Sequence, residues 1–146
     1  MNRFIRAASL FGLLGSLLSV SAQAAPEVQI PAGKLRGEQL GELQVYRGIP
    51  YAQPPVKTLR WQPPVPVAAW EGVREATEFG PACHQPPSRP GSIYAPAEAK
   101  KMSEDCLSLN VWAPAEAKDA PVFVWIHGGS LVAGSGSESL YDGAAL

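Results

Sequence analysis

The sequence predicts an α/β fold in which short antiparallel strands precede a mostly parallel central sheet. Residues 27–48 consist of short runs that alternate apolar and polar side chains between glycines, a pattern typical of half-buried antiparallel strands. Residues 121–126 form an unbroken apolar run rich in β-branched and aromatic side chains. Such a run is typical of a strand buried on both faces, in a sheet that helices cover.

The first predicted strands lie at residues 28–30, 34–36 and 43–46, and Gly37 and Gly41 mark the turns between them. Residues 107–112 alternate with period two and predict a further strand before the apolar run.

A proline-rich segment, residues 50–66, lies between these strand regions. Because proline fixes φ and lacks a backbone N–H group, the segment is predicted to be extended and non-helical. Large side chains in and after it are expected to anchor it by packing: Tyr51, Leu59, Trp61 and Trp70.

Residues 1–24 are predicted to be a signal peptide. Arg3 and Arg6 precede an uncharged apolar stretch over residues 7–20, and Ala22 and Ala24 give the small-x-small pattern of a cleavage site after Ala24. A membrane anchor is the alternative, but the apolar stretch is shorter than the about 20 residues that a span needs. We therefore expect a periplasmic or secreted protein without a stable membrane anchor after cleavage.

The mature chain is expected to be weakly acidic. Without Arg3 and Arg6, 10 basic residues face 13 acidic ones, a net charge of −3. No basic patch with interleaved aromatic residues is present in the sequence, so nucleic acid is not an expected partner.

The two cysteines, Cys83 and Cys106, are predicted to form a disulfide. An even cysteine count in an exported chain favours this, because the compartment is oxidising. A zinc site is the alternative, but two isolated cysteines with His84 and His127 match no zinc spacing. We expect neither a metal nor a cofactor.

A glycine-containing turn follows the apolar run. His127, Gly128, Gly129 and Ser130 resemble the His-Gly-Gly-Gly type of motif of α/β-hydrolase esterases and lipases, whose backbone N–H groups stabilise an oxyanion. The resemblance implies that Gly129 and Ser130 donate two such N–H groups and that Gly128 belongs to the turn. Ser130 departs from the glycine or alanine usual there, which adds bulk but keeps the backbone donor.

Further stretches in the same order resemble the N-terminal portion of type B carboxylesterases, a family that includes para-nitrobenzyl esterases and cholinesterases. They lie at residues 48–55, 59–61, 79–83, 103–111 and 140–144. The resemblance covers residues 27–146 and implies that residues 25–146 are the N-terminal part of an α/β-hydrolase domain, incomplete as given.

The family resemblance also implies roles for supporting residues. Cys83 and Cys106 would form the family's first disulfide, and Arg60 and Glu104 a buried ion pair beneath the loop that it closes. His127 is expected to orient the glycine turn. It is not expected to act as the catalytic base, because that histidine follows the nucleophile in this superfamily.

The predicted activity is hydrolysis of small carboxylic esters through an acyl-enzyme. Residues 1–146 contain no Gly-x-Ser-x-Gly motif, so the nucleophile, acid and base are expected outside this sequence. The sequence leaves two alternatives to ester hydrolysis: a non-catalytic binding or adhesion module related to cholinesterases, and an inactive truncated product. The sequence predicts no oligomeric state.

Overall fold

The computed structural model describes residues 24–87 and 101–145. The predicted signal peptide, except Ala24, lies outside these residues. Within them six strands form two three-stranded sheets, and three short 3₁₀ helices are present. The strands are β1 (Glu27–Ile30), β2 (Gly33–Arg36), β3 (Glu38–Leu40), β4 (Leu43–Pro50), β5 (Val73–Glu75) and β6 (Ser108–Pro114). The 3₁₀ helices are Lys57–Leu59, Ser139–Tyr141 and Gly143–Ala145.

The first sheet has the order β1-β2-β5. β1 and β2 form an antiparallel hairpin, and β5 pairs with β2 in parallel. Arg36 lies opposite Glu27 on one side and Glu75 on the other, and its guanidinium contacts both carboxylates, at 2.8 Å and 2.7 Å. The hydrogen bond from Arg36 lowers the pKa of Glu27 below its ordinary value of 4.5.

The second sheet has the order β3-β4-β6 and is antiparallel throughout. The register of β4 against β6 shifts between Tyr46 and Ile49. At this irregularity Gly48 has φ +65°, and its N–H donates to Asn110 Oδ1 at 3.0 Å. A side-chain amide on β6 therefore replaces a ladder hydrogen bond at the bulge.

The two sheets meet at Gly37, which joins β2 to β3. A Cβ atom there would lie 2.5 Å from the Val45 carbonyl oxygen and 2.7 Å from the Tyr46 ring, so only glycine fits. The hydrophobic core forms beside this junction, with Ile30 and Trp70 packed against its buried members: Leu35, Tyr46, Ile49 and Ala76.

The predicted strands at residues 28–30, 34–36, 43–46 and 107–112 are confirmed as β1, β2, β4 and β6. The antiparallel pairing of β1 with β2 is as expected, whereas the partner of β6, the antiparallel neighbour β4, was not predicted. β3 and β5 were not predicted. Both have three residues, and β5 pairs with a strand about 40 positions earlier, so neither carries a local pattern that reveals it.

The prediction of a buried strand over residues 121–126 is wrong for this structure. The segment is not in a strand, and its side chains are exposed, from 59% for Trp125 to 86% for Val122. An apolar run forms a buried strand when neighbouring strands supply hydrogen bonds and covering layers supply burial. The described residues supply neither, and β2–β5 is the sole parallel strand pairing among them.

The proline-rich segment is mostly extended, as predicted, but turns once through the 3₁₀ helix Lys57–Leu59. Two of its expected anchors do not pack. Trp61 is 90% exposed and Tyr51 is 53% exposed, whereas Leu59 and Trp70 are half-buried. Trp61 instead stacks near the Arg60 guanidinium, whose carbon lies 5.8 Å from a Trp61 ring centroid.

Candidate active site

The glycine turn, residues 127–133, folds back on itself directly after the apolar run. The N–H groups of Val132 and Ala133 both donate to the Gly129 carbonyl oxygen, at 3.0 Å and 3.1 Å. Ser130 and Leu131 have φ of 55° and 60°, so two consecutive non-glycine residues adopt the left-handed region. Such backbone is uncommon, and it clusters at functional sites.

The tight turn requires glycine at position 129. Gly129 has φ +115°, and a Cβ atom there would collide with the Ala133 carbonyl. Gly128 differs, because a Cβ atom there would meet open space and its φ is not positive. The geometry of the turn therefore constrains Gly129 far more than Gly128.

The backbone N–H groups of Gly129 and Ser130 are the two predicted oxyanion donors. Neither the Gly129 nor the Ser130 N–H donates a hydrogen bond within residues 24–87 and 101–145, and both residues are exposed. Free N–H groups on successive residues can bind a negatively charged oxygen.

His127 is the first residue of the turn. Its Nδ1 is 2.8 Å from the Gly128 carbonyl oxygen, a distance at which a protonated Nδ1 donates a hydrogen bond. The imidazole also stacks with Tyr141, with the ring centroids 6.4 Å apart. These contacts agree with a role in orienting the turn.

Two amide side chains hold the residues that follow the turn. Gln85 bonds to the backbone of Gly134, and Asn110 Nδ2 donates to the Gly136 carbonyl at 3.1 Å. Since Asn110 also accepts from Gly48, it joins β4, β6 and the loop after the turn. Neither amide is predicted from the sequence, because a glutamine or asparagine carries no local pattern that identifies a distant backbone partner.

The predicted disulfide is confirmed: Cys83 and Cys106 are bonded, with their Cα atoms 5.1 Å apart. A short parallel bridge lies next to it, in which Ala82 pairs with Met102. Residues 88–100 of the loop that the disulfide closes lie outside the described residues.

The Arg60–Glu104 ion pair is present, with Arg60 Nε 2.7 Å from Glu104 Oε1. The pair is not buried, contrary to what the family resemblance implies. The side chains are 58% and 40% exposed, because no described element packs over them. An exposed pair of this kind contributes about 0–1 kcal/mol to stability.

In the described part of the chain, no three histidine, cysteine or acidic side chains come together as metal ligands could. Nor does that part of the chain contain a helix long and apolar enough to cross a membrane.

Comparison with known proteins identifies the family. The model of the carboxylesterase family matches residues 24–146. This chain belongs to the carboxylesterase family. Para-nitrobenzyl esterase of Bacillus subtilis is 45% identical over 115 residues, which cover 78% of this chain and 23% of that protein. Carboxylesterase 3 of Homo sapiens is 39% identical over an alignment of 167 residues, gaps included, which covers all of this chain and 29% of that protein.

Solved carboxylesterase structures share the fold. A PNB esterase superposes with a TM-score of 0.76 at 42% identity, over 84% of this chain and 25% of that one. A carboxylesterase of Geobacillus stearothermophilus gives a TM-score of 0.70 at 47% identity, over 82% of this chain and 23% of that one. The chain has the α/β-hydrolase fold of these esterases over the aligned part, and it spans about a quarter of their length.

Proposed function

We propose that the protein hydrolyses small carboxylic esters, with the backbone N–H groups of Gly129 and Ser130 binding the oxyanion of the tetrahedral intermediate. The observation that carries the proposal is the tight turn at Gly129, in which two successive exposed residues have N–H groups without partners in the described residues. Membership of the carboxylesterase family supports it.

The proposed reaction needs these donors when charge moves onto the substrate. A serine oxygen bonds to the ester carbonyl carbon, its proton passes to a histidine, and the carbonyl π electrons become the negative charge of the oxyanion. Collapse of this intermediate expels the alcohol, which takes the proton and leaves an acyl-serine that water then hydrolyses. The serine, histidine and orienting carboxylate would come from outside residues 1–146.

The turn can supply a large share of the rate enhancement. Preorganised N–H donors cost no reorganisation when the charge forms, and one such donor is worth about 10²–10³ in kcat. The Ser130 hydroxyl adds polarity next to the donors, while the contribution to the oxyanion hole comes from the backbone.

The proposed function is tested by hydrolysis of para-nitrophenyl acetate with the protein encoded by the complete gene. Because a side chain at position 129 cannot coexist with the Ala133 carbonyl, Gly129→Ala is expected to lower kcat about 10²–10³-fold. Gly41→Ala is the matched control: Gly41 also has positive φ, +58°, but its Cβ position is open and it lies in the β3–β4 turn.

Two results would contradict the proposal. Retained activity in Gly129→Ala would remove the turn from catalysis. An inactive natural protein would reject ester hydrolysis and favour a binding module.

We also propose that the protein is exported and that residues 1–24 are removed. The Cys83–Cys106 disulfide supports export, since such bonds persist in oxidising compartments. Mass spectrometry of the mature protein would find Ala25 as the first residue, and an intact Met1 in the mature protein would refute the proposal.

A further inference from the structure

The side chain of Gln85 pairs with the backbone of Gly134 as another peptide group would. Gly134 N–H donates to Gln85 Oε1 at 2.7 Å, and Gln85 Nε2 donates to the Gly134 carbonyl at 3.1 Å. We propose that Gln85 is a positioning residue, which holds the glycine turn in its donor-presenting form and ties it to the Cys83–Cys106 disulfide. This inference rests on the proposed function.

The pairing uses both ends of the amide. A primary amide has one acceptor oxygen and two N–H donors. The oxygen accepts from Gly134, and Nε2 donates both to Gly134 and, at 3.2 Å, to the Cys83 carbonyl. Gln85 is half-buried, so these bonds are partly shielded from competing water.

Gly134 transmits this restraint to the turn by direct contact. It has φ +106°, and a Cβ atom there would lie 2.6 Å from His127 Nδ1 and 2.7 Å from the Gly128 carbonyl oxygen. The Gly134 backbone therefore lies against the residues that precede the proposed donors. A shift of Gly134 changes the space in which residues 127–129 sit.

The glycine turn has few other restraints. Residues 127–132 are exposed, and the turn's own hydrogen bonds, from Val132 and Ala133 to Gly129, are internal to it. Internal bonds fix the shape of a turn but not its position relative to the sheets. The Gln85 pair supplies an external restraint.

The other end of the restraint is covalent. Gln85 is two residues from Cys83, which is bonded to Cys106, two residues before the start of β6. Ala82, which precedes Cys83, makes two backbone hydrogen bonds of 3.0 Å: its N–H donates to the Lys101 carbonyl oxygen, and its carbonyl oxygen accepts from the Ser103 N–H. The disulfide thus fixes the position of Gln85, and Gln85 fixes the position of the turn.

The test compares Gln85→Met with Gln39→Met in the protein encoded by the complete gene. Methionine keeps the length and removes the amide. Gln39 is the matched control, because its Nε2 donates to a glycine carbonyl, that of Gly41, at 2.7 Å in the distant β3–β4 turn. A displaced turn is expected to lower kcat for para-nitrophenyl acetate about 10–100-fold in Gln85→Met while KM changes less than about 3-fold.

A transition-state analogue separates positioning from general loss of structure. The affinity for an aryl trifluoromethyl ketone, whose adduct carries the oxyanion, should fall by the same factor as kcat/KM in Gln85→Met. Gln39→Met should keep both values. Unchanged kcat and analogue affinity in Gln85→Met would overturn the inference.

Hydrogen exchange gives a second readout that does not need activity. The amides of Val132, Ala133 and Gly134 donate hydrogen bonds, so a released turn should exchange them faster in Gln85→Met but not in Gln39→Met. Unchanged exchange would overturn the inference even if the enzyme is active. Faster exchange in a protein that hydrolyses no ester would uphold the restraint on the turn and reject the proposed function alone.

Discussion

The two-sheet body, residues 24–87 and 101–114, and the glycine turn are stabilised in different ways. The body has strand ladders and a buried core, in which Leu35 and Val45 are at most 1% exposed. The turn has exposed residues, left-handed backbone at Ser130 and Leu131, and hydrogen bonds that stay within it or reach it through Gly134. Stability and the proposed chemistry therefore depend on different parts of the chain.

This separation has a physical reason. An oxyanion donor must face solvent or substrate, so it cannot be satisfied inside a core. A turn that leaves its N–H groups free forgoes their hydrogen bonds, and neighbouring contacts must hold it. In this protein the contacts from outside the turn are two amide side chains, Gln85 on Gly134 and Asn110 on Gly136, and the Tyr141 ring stacked on His127.

The largest difference between the two regions is expected when a leucine in each is replaced by alanine and the free energy of unfolding is measured. Leu35 is 1% exposed and Leu131 is fully exposed. Leu35→Ala is expected to lower the free energy of unfolding by about 2–5 kcal/mol, because it removes buried methyl groups and leaves a cavity. Leu131→Ala should change it by less than about 0.5 kcal/mol. Urea denaturation measures both, and equal losses would show that the turn is part of the cooperative core.

A smaller effect is expected from the Cys83–Cys106 disulfide, which lies within the two-sheet body next to Gln85. Cys106→Ser should lower the free energy of unfolding by roughly 3 kcal/mol, from the entropy of the closed loop in the unfolded chain. It should also speed proteolysis between residues 84 and 105. A reducing agent is the control, since it should bring the natural protein to the stability of the variant and leave the variant unchanged. Unchanged proteolysis would argue against a restraining role.

The smallest effect is expected at the ion-pair cluster of Glu27, Arg36 and Glu75 on the first sheet. It is measured as the dependence of stability on pH. The pKa of Glu27 is lowered by Arg36, so its contribution is present above about pH 4.5 and is lost as the pH falls through the lower folded value. Glu27→Gln should therefore destabilise the protein slightly at pH 7, and the difference should shrink as the pH falls below about 4.5. The midpoint of urea unfolding, followed from pH 7 downwards, measures this.

Glu116→Gln is the control for this titration, because Glu116 makes no ion pair among the described residues. Its midpoint should follow that of the natural protein across the same range. A Glu27→Gln difference that does not shrink as the pH falls would mean that Arg36 is not the cause.

The sequence alone determined the elements whose signals are local. Alternation with period two located β1, β2, β4 and β6, and the even cysteine count, together with the predicted signal peptide, predicted the disulfide. The motif at residues 127–130 identified the turn, because glycine is required wherever the backbone needs positive φ or close approach, as at Gly129.

Features that depend on residues distant in sequence could be established from the tertiary structure but not from the sequence. The apolar run at residues 121–126 has the composition of a buried strand, yet it stays exposed because burial needs neighbours that the described residues do not provide. The Gln85–Gly134 pair joins residues 49 positions apart, and the exposure of Arg60 and Glu104 depends on what packs over them. Local composition fixes what a segment can do, whereas through-space neighbours fix whether its hydrogen bonds and apolar surface are satisfied.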